Sequence, residues 1–552
     1  MSTTADKSTL KQRLWQIITA PFSTNLQFFT LFAICGAVFS SLMYVHTVQF
    51  MLYIIVANVA TAYVLAVLLP TPPPFCSLTH TISTIYKWLV VFIVSFVFIV
   101  ECFSYNVFNL LLDKDLVQIA LGTDPNEAGE FIDTFLKWDV VLTIVLNIAA
   151  VVLLFFLLRK LGRYISRNSS KTGAKAYFCT MLALVAACLI LSARNTEPIR
   201  LQAVVGKVIH AMQFRPVPPV EEFIVNPKIE KTGDVRPRDI VIIVGESFVR
   251  KQSSLFGYDK ATNPRLGKLN AQGDLTLFGR VESPMLSTVL SFKQIMSTFE
   301  GKDEQYWRHA SIPEVAKLMG YKTYWLSGQN KAGFQNQLIT RYAELCDTSE
   351  FTSFMNKSAD HPDQRVNDAM LLPVVERYAK ASKGQSNLFI IHLLGSHFDY
   401  STKFTPEFAK FKPSDYPGKT ELQSKILSDY DKSLLYNDFV VNQIIQNFID
   451  RDAIVFYFSD HGVDLFESSP TYFVHGSPND PVSAHAGRQI PFIVYTSKRF
   501  RENHPALMAR MNASVSRAWN TRDMIYTLMD LCSYKFAGTN AVEKRSLFLP
   551  QK

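Results

Sequence analysis

The sequence predicts an α-helical membrane domain of five spans over residues 1–195 and an α/β domain with a mostly parallel central sheet over 237–552. A connector at 196–236 joins them. Three observations carry this reading. Apolar runs of bilayer length are confined to the first 195 residues. The loops between those runs differ sharply in charge. Beyond residue 237, short apolar strands alternate with helical stretches.

The apolar runs are 28–45, 51–69, 88–103, 140–158 and 176–193, each near the ~20 residues that cross a bilayer. They account for an apolar fraction of 48% and a mean hydropathy of +0.10. The loop between the fourth and fifth runs carries Arg159, Lys160, Arg163, Arg167, Lys171 and Lys175 and no acid. The positive-inside rule places it in the cytoplasm. The N-terminus, with Lys7, Lys11 and Arg13, falls on the same side and leads into an uncleaved anchor. The loop between the third and fourth runs holds Asp113, Asp115, Asp124, Glu127, Glu130 and Asp133 and lands outside. Five crossings then put the C-terminal domain outside the cytoplasm. The net charge of +9 therefore reads as membrane orientation and not as a nucleic-acid surface. Of seven cysteines, only Cys346 and Cys532 fall in the α/β domain. They read as two buried thiols in preference to one bridge.

In the connector, residues 202–212 suit an interfacial amphipathic helix. The run Arg215-Pro216-Val217-Pro218-Pro219 favours extended chain. Strands are predicted at 240–244, 322–326, 388–394, 454–458 and 491–495, and helical stretches at 311–319, 368–382 and 424–450. Strands apolar at every position are buried on both faces, as in a parallel sheet covered by helices.

Ligands of such sheets bind beyond the carboxyl ends of the strands. Glu246 follows one strand end, and Asp460-His461 follow another. A lone strand-end Asp ordinarily caps a helix. A Glu and an Asp-His pair together, with Gly462 permitting a sharp turn, favour a metal, because buried carboxylates are costly unless paired or ligated. Two carboxylates and an imidazole suit Zn²⁺, with Mn²⁺ second. The nucleophile stays open between Ser247 and Thr288. Ser247 adjoins a ligand and could instead cap a helix. Thr288 begins a stretch whose helix N-terminus would face a phosphate. His392 and His397 follow a third strand, and His475 and His485 lie beyond Asp460. One such His is an ordinary loop residue; several converging read as a second metal site or as donors to phosphate.

The run Ile240-Val241-Ile242-Ile243-Val244-Gly245-Glu246-Ser247, then Ser254-Leu255-Phe256-Gly257-Tyr258 and Thr262-Asn263-Pro264, resembles the phosphoethanolamine transferases. Further matches are His392-Leu393-Leu394-Gly395-Ser396-His397, Tyr457-Phe458-Ser459-Asp460-His461-Gly462 and Val474-His475-Gly476. These are bacterial inner-membrane enzymes with five spans and a periplasmic domain of alkaline phosphatase/sulfatase fold. The resemblance implies zinc on Glu246, Thr288, Asp460 and His461, with Thr288 as the nucleophile. It implies that His397 and His475 contact substrate phosphate or a second zinc, with His392 nearby and Lys331 and the external-loop residues Thr123 and Glu127 on the head group. Thr288 would take phosphoethanolamine from phosphatidylethanolamine and pass it to a lipopolysaccharide acceptor. A monomer bound to membrane lipids, without nucleic acid, is expected.

Two departures stand out. The family's Asn in the external loop is Ile119 here, with Gln118 beside it. Lipid A-modifying members carry cysteines flanking the nucleophile, where this chain has Pro284 and Gln294. That pattern resembles members acting on core heptose or on periplasmic glucans, and core heptose is the favoured expectation. A glycerophosphotransferase using phosphatidylglycerol is the alternative. The Cys/Ser-x-Pro-x-Arg signature of true sulfatases is absent.

Overall fold

The computed structural model describes residues 217–549, except 304, 330, 332–335, 353–366, 469, 471–474, 477 and 479, plus isolated positions between 85 and 160. The predicted spans, and Thr123 and Glu127, otherwise lie outside the described residues. Among the described residues no helix is long and apolar enough to cross a membrane. The isolated positions are helical, and Ile85, Leu89, Phe92 and Phe96 among them expose apolar side chains. The chain divides into two compact units, the second containing Arg215–Lys552.

The described residues of that unit form eleven strands. They are β1 (Ile229–Lys231), β2 (Asp239–Gly245), β3 (Leu275–Leu277), β4 (Val281–Glu282), β5 (Lys322–Ser327) and β6 (Thr348–Phe351), then β7 (Asn387–His392), β8 (Ala453–Ser459), β9 (Phe492–Thr496), β10 (Trp519–Asn520) and β11 (Tyr534–Phe536). Seven build the central sheet, in the order β3-β9-β8-β2-β7-β5-β6. Only β9 opposes its neighbours, pairing antiparallel with β8 and β3, while β8, β2, β7, β5 and β6 are parallel. The helices that matter here, labelled in chain order, are α1 (Pro264–Ala271), α2 (Thr288–Ile295), α3 (Ile312–Leu318), α4 (Asn336–Glu344), α5 (Leu372–Ala381), α6 (Glu421–Gln446) and α7 (Pro481–Arg488).

Every residue of β2, β7 and β8 is buried, as their unbroken apolar runs predict. Alternate side chains of β2 serve opposite faces. Ile240, Ile242 and Val244 join a large cluster with Phe292 of α2, Val315 of α3 and Leu338 of α4. On the other face Tyr457 bonds Asn437 of α6, and Phe389 packs on Phe448 just beyond that helix. Helix α6 starts at a capping box in which Thr420 and Gln423 satisfy each other's backbone N–H groups.

The mostly parallel sheet is as expected. The short edge strands β3 and β6 were not foreseen: one is three residues long and the other, Thr-Ser-Glu-Phe, is polar at all but its last position. The expected strand 388–394 stops at His392: Leu393 N still reaches Val244 O (2.9 Å), but the two amides after it leave the ladder. Leu394 N and Gly395 N donate to Asp368 Oδ1 and Oδ2 (2.7 and 2.8 Å). Cys346 and Cys532 are free and buried, and burial pushes both thiols up to about 12.

At the amino edge of the sheet, Asp239 is buried against Arg451. Arg451 Nε and Nη2 donate to its two oxygens (2.7 and 2.6 Å), and Asn387 Nδ2 adds a third bond (2.8 Å). Truncating Arg451 to Ala strands a buried carboxylate and should cost about 3–5 kcal/mol, read as a large drop in thermal midpoint. Asp239→Asn/Arg451→Met, which removes both charges, should recover much of that loss. A double variant no better than Arg451→Ala would show that the charge is not what destabilises.

Candidate metal centre

Glu246 and Asp460 leave adjacent parallel strands one residue past the last paired positions, Gly245 and Ser459. Asp460 N donates to Gly245 O (3.1 Å), tying the two ends together. Both acids and His461 are at most 1% exposed. One ligand atom from each of Glu246, Asp460 and His461 lies within 4.8 Å of the others. His461 Nε2 is 3.2 Å from Glu246 Oε1 and 3.5 Å from Asp460 Oδ2. Thr288, first residue of α2, donates from Oγ1 to Glu246 Oε2 (3.0 Å) and sits 3.4 Å from His461 Nε2. The structure thus brings together the four residues that the resemblance assigns to zinc.

Two details fit a cation. Asp460 Oδ1 accepts from Ser247 N and His461 N (3.2 and 2.7 Å), while Oδ2 is buried with no hydrogen-bond partner. A buried carboxylate oxygen left so is costly. His461 Nδ1–H donates to Gly462 O (2.8 Å), which aims Nε2 at the carboxylates and would leave its lone pair for a cation once the ring is neutral. The charges are strongly coupled. Burial and the charge of Glu246 push Asp460 up to about 7. Burial would also raise Glu246, but the bond and charge from His461 hold it well below the usual carboxylate range. Burial opposes protonation of His461, yet the Asp460 charge and the Glu246 bond raise it to about 9. One imidazole is thus shared by two acids.

Ser247 is locked in place. Its φ is +58°, its Oγ donates to Glu246 Oε1 (2.7 Å), and its carbonyl accepts from Tyr430 OH (2.7 Å). It caps no helix and is 2% exposed. Thr288 is half-buried instead. Ser283, unforeseen from sequence, pins the α2 segment: its Oγ donates to Asp460 O and lies 3.2 Å from Ser291 Oγ.

Gly395 must be glycine. Its φ is +54°, and an added Cβ would lie 2.8–3.0 Å from Glu246 N, O and Cβ. Ser396 N donates to Glu246 O (3.0 Å). Asp368, through Leu394 and Gly395, therefore presses the loop onto Glu246, a link with no signal in the local residue pattern. His397 follows this loop, its Nδ1–H donating to Phe398 O (2.7 Å). The His475 ring lies 4.6 Å from that of His461, tilted, and 6.5 Å from that of His397, edge-on. These two rim the centre. His392 lies in the core, 0% exposed, 4.6 Å from the Phe292 ring, and neither ring nitrogen has a hydrogen-bond partner. Lys331 is exposed, its Nζ 5.9 Å from the Phe351 ring. His485 lines a separate pocket.

A family model described as Sulfatase matches residues 238–534. A curated relative named phosphoethanolamine transferase EptC, from Escherichia coli O18:K1:H7, is 26% identical over 475 residues, covering 81% of this chain and 79% of that protein. The solved periplasmic domain of EptC from Escherichia coli in complex with Zn is 27% identical with a TM-score of 0.52, covering 59% of this chain and 90% of that one. An integral membrane protein, lipooligosaccharide phosphoethanolamine transferase A from Neisseria meningitidis, shares the fold at TM-score 0.63 and 19% identity, over 95% of this chain and 96% of that one. The resemblance read from the motifs is borne out by these relatives.

Burial lowers His392 to about 4 from 6.5. The folded ring takes its proton at lower pH than the unfolded one, so the neutral ring stabilises above about 6.5. That contribution is lost as pH falls from about 6.5 to about 4. His392→Leu should flatten the fall in thermal midpoint across this window by up to one proton's worth, about 1.4 kcal/mol per pH unit. His475, lowered to about 3 mainly by burial, leaves a residual slope of the same sign. An unchanged slope in the variant would refute the buried neutral ring.

Proposed function

The chain belongs to the sulfatase family, and from that premise we propose that it is a zinc-dependent phosphoethanolamine transferase. Its donor is phosphatidylethanolamine and its acceptor lipopolysaccharide, with core heptose favoured over lipid A. The observation that carries this is Thr288. A half-buried hydroxyl at the start of a helix donates to Glu246 Oε2 at 3.0 Å and sits 3.4 Å from His461 Nε2. Ser247, its rival from sequence, spends its hydroxyl on Glu246.

Glu246, Asp460, His461 and Thr288 would hold the zinc. When bound, it lowers the pKa of the Thr288 hydroxyl and polarises a phosphoryl oxygen. Thr288 Oγ1 forms a bond to the phosphorus of phosphatidylethanolamine. The bond from phosphorus to the diacylglycerol oxygen breaks, and diacylglycerol leaves as the alcohol with the proton that Thr288 gives up. An acceptor hydroxyl then forms a bond to the phosphorus, the bond from phosphorus to Thr288 Oγ1 breaks, and Thr288 regains a proton from that hydroxyl. The first-turn amides of α2 lack partners within the helix and would face the phosphate oxygens. His397 and His475, at the rim, supply donors to phosphate and leaving oxygen. Lys331, Thr123 and Glu127 are proposed for the head group on the resemblance alone. A monomer is proposed.

Inner-membrane placement, with the N-terminus cytoplasmic and the catalytic domain periplasmic, is supported by the five apolar runs and the loop charges. Exposed apolar side chains at helical positions 85, 89, 92 and 96 support it further. The zinc assignment is supported by the unpartnered Asp460 Oδ2. Sulfatase chemistry is not proposed, because the formylglycine signature is absent.

Intact-mass analysis after incubation with phosphatidylethanolamine tests the reading. The wild-type chain should gain the mass of one phosphoethanolamine group. Thr288→Ala should gain none and lose at least about 10³-fold in turnover. No adduct on zinc-loaded wild type would reject the donor or the covalent step and bring phosphatidylglycerol forward.

A further inference from the structure

A second pocket, of about 370 Å³, opens at the carboxyl edge of the sheet, within the range of small-molecule clefts. Arg250, Arg280, Glu282, His485, Gln489 and Trp519 line it. The topology places them there. Arg250 follows the end of β2 and Arg280 the end of β3, while Gln489 leads into β9, the strand that runs the other way. A wall one strand thick separates this pocket from the metal centre. Glu282 bridges to Gln489, whose Nε2 donates to Glu282 Oε1 (2.9 Å). The next residue, Ser283, bonds Asp460 O.

The lining is built for an anion. Arg250 is half-buried and its guanidinium donates to the Val281 carbonyl (3.2 Å). Arg280 reaches the Ser516 carbonyl (3.4 Å). Neither forms an ion pair among the described residues, and Glu282 is the single acid of the lining, already engaged by Gln489. Two guanidinium groups on one cavity favour bidentate binding of phosphate. Glu282, Gln489 and His485 offer hydroxyl-binding groups. The Trp519 ring is fixed by its N–H to Arg545 O (2.9 Å) and by Phe492 edge-on at 5.4 Å. It gives an apolar wall suited to a sugar ring.

We propose that this pocket is a subsite for a phosphorylated sugar, beside the centre that performs the transfer. The chemistry is shared by a phosphorylated glycolipid acceptor and a free sugar phosphate. Its link to transfer rests on the function proposed above; the binding itself does not.

Calorimetric titration of the detergent-purified full chain with glucose 6-phosphate tests it. Wild type should bind saturably, glucose at least tenfold more weakly, and Arg280→Gln should weaken glucose 6-phosphate at least tenfold with an unchanged melting temperature. Arg280 is exposed, so its replacement should leave folding intact; Arg250→Gln should act in the same direction. Absence of saturable binding, or affinity undiminished in Arg280→Gln, as a phosphate at the metal centre would give, overturns the proposal. Transfer assays separate the sources. A raised KM for phosphorylated acceptor in Arg280→Gln, with kcat and the KM for phosphatidylethanolamine unchanged, makes the glycolipid the ligand. Lost glucose 6-phosphate binding with acceptor KM unmoved makes it a free sugar phosphate. A chain without transfer activity that still binds glucose 6-phosphate would fail the proposed function and keep this subsite.

Discussion

Two buried carboxylates share one imidazole at the edge of the sheet, and much of the domain serves to hold them there. Glu246 and Asp460 are each at most 1% exposed. Removing an ion from water costs several kcal/mol even after relaxation. Three devices keep the pair in place. The strand ends are tied by Asp460 N to Gly245 O, and Glu246 is pressed from above by Gly395 and Ser396. The backbone amides of Ser247 and His461 stabilise one side of Asp460. The opposite oxygen, buried, accepts no hydrogen bond, which suits a ligand oxygen. A fold that needed only internal neutrality would have supplied a donor there.

The reversal of β9 belongs to the same constraint. Helix α7 must return the chain along the carboxyl edge to wall in the loop after Asp460. Gly462 N donates to Gly487 O (2.8 Å), and Gly476 and Gly487 approach so closely that a Cβ on either would lie within 3.0 Å of the other's backbone. The chain therefore re-enters the sheet from the wrong edge for a parallel strand, and β9 runs antiparallel. Three glycines thereby set the position of His461 and His475, whose rings meet tilted at 4.6 Å.

The legible part of the sequence was the part written in hydrophobic pattern. Runs such as Ile240–Val244 announce a strand buried on both faces, and an acid after such a run announces a site. Local pattern says nothing about which of two neighbouring hydroxyls is free. Ser247 and Thr288 looked alike until the positive φ of Ser247 and its bond to Glu246 appeared. Nor does it reveal Asp368, which acts over 26 residues on the amide of Leu394. His392 shows the converse. Its motif placed it with the site histidines, but strand alternation turns its ring under α2 against Phe292, a matter of one residue's parity.

The placement of Thr288 links fold to chemistry. In a strand-end loop, a hydroxyl next to two acids is drawn into their hydrogen-bond network, which is the fate of Ser247. On the first turn of α2 it approaches from a separate element, bonded to Glu246 and in longer contact with His461 Nε2, yet it stays half-exposed. The helix is anchored from below: Phe292 and Ile295 are buried in the main cluster, and Ser291 lies against Ser283. The role proposed for Thr288 would need a rigid mount and an accessible face. Thr288 has the anchored helix for the first and half-exposure for the second, and Ser247, rigid but enclosed, has only the first.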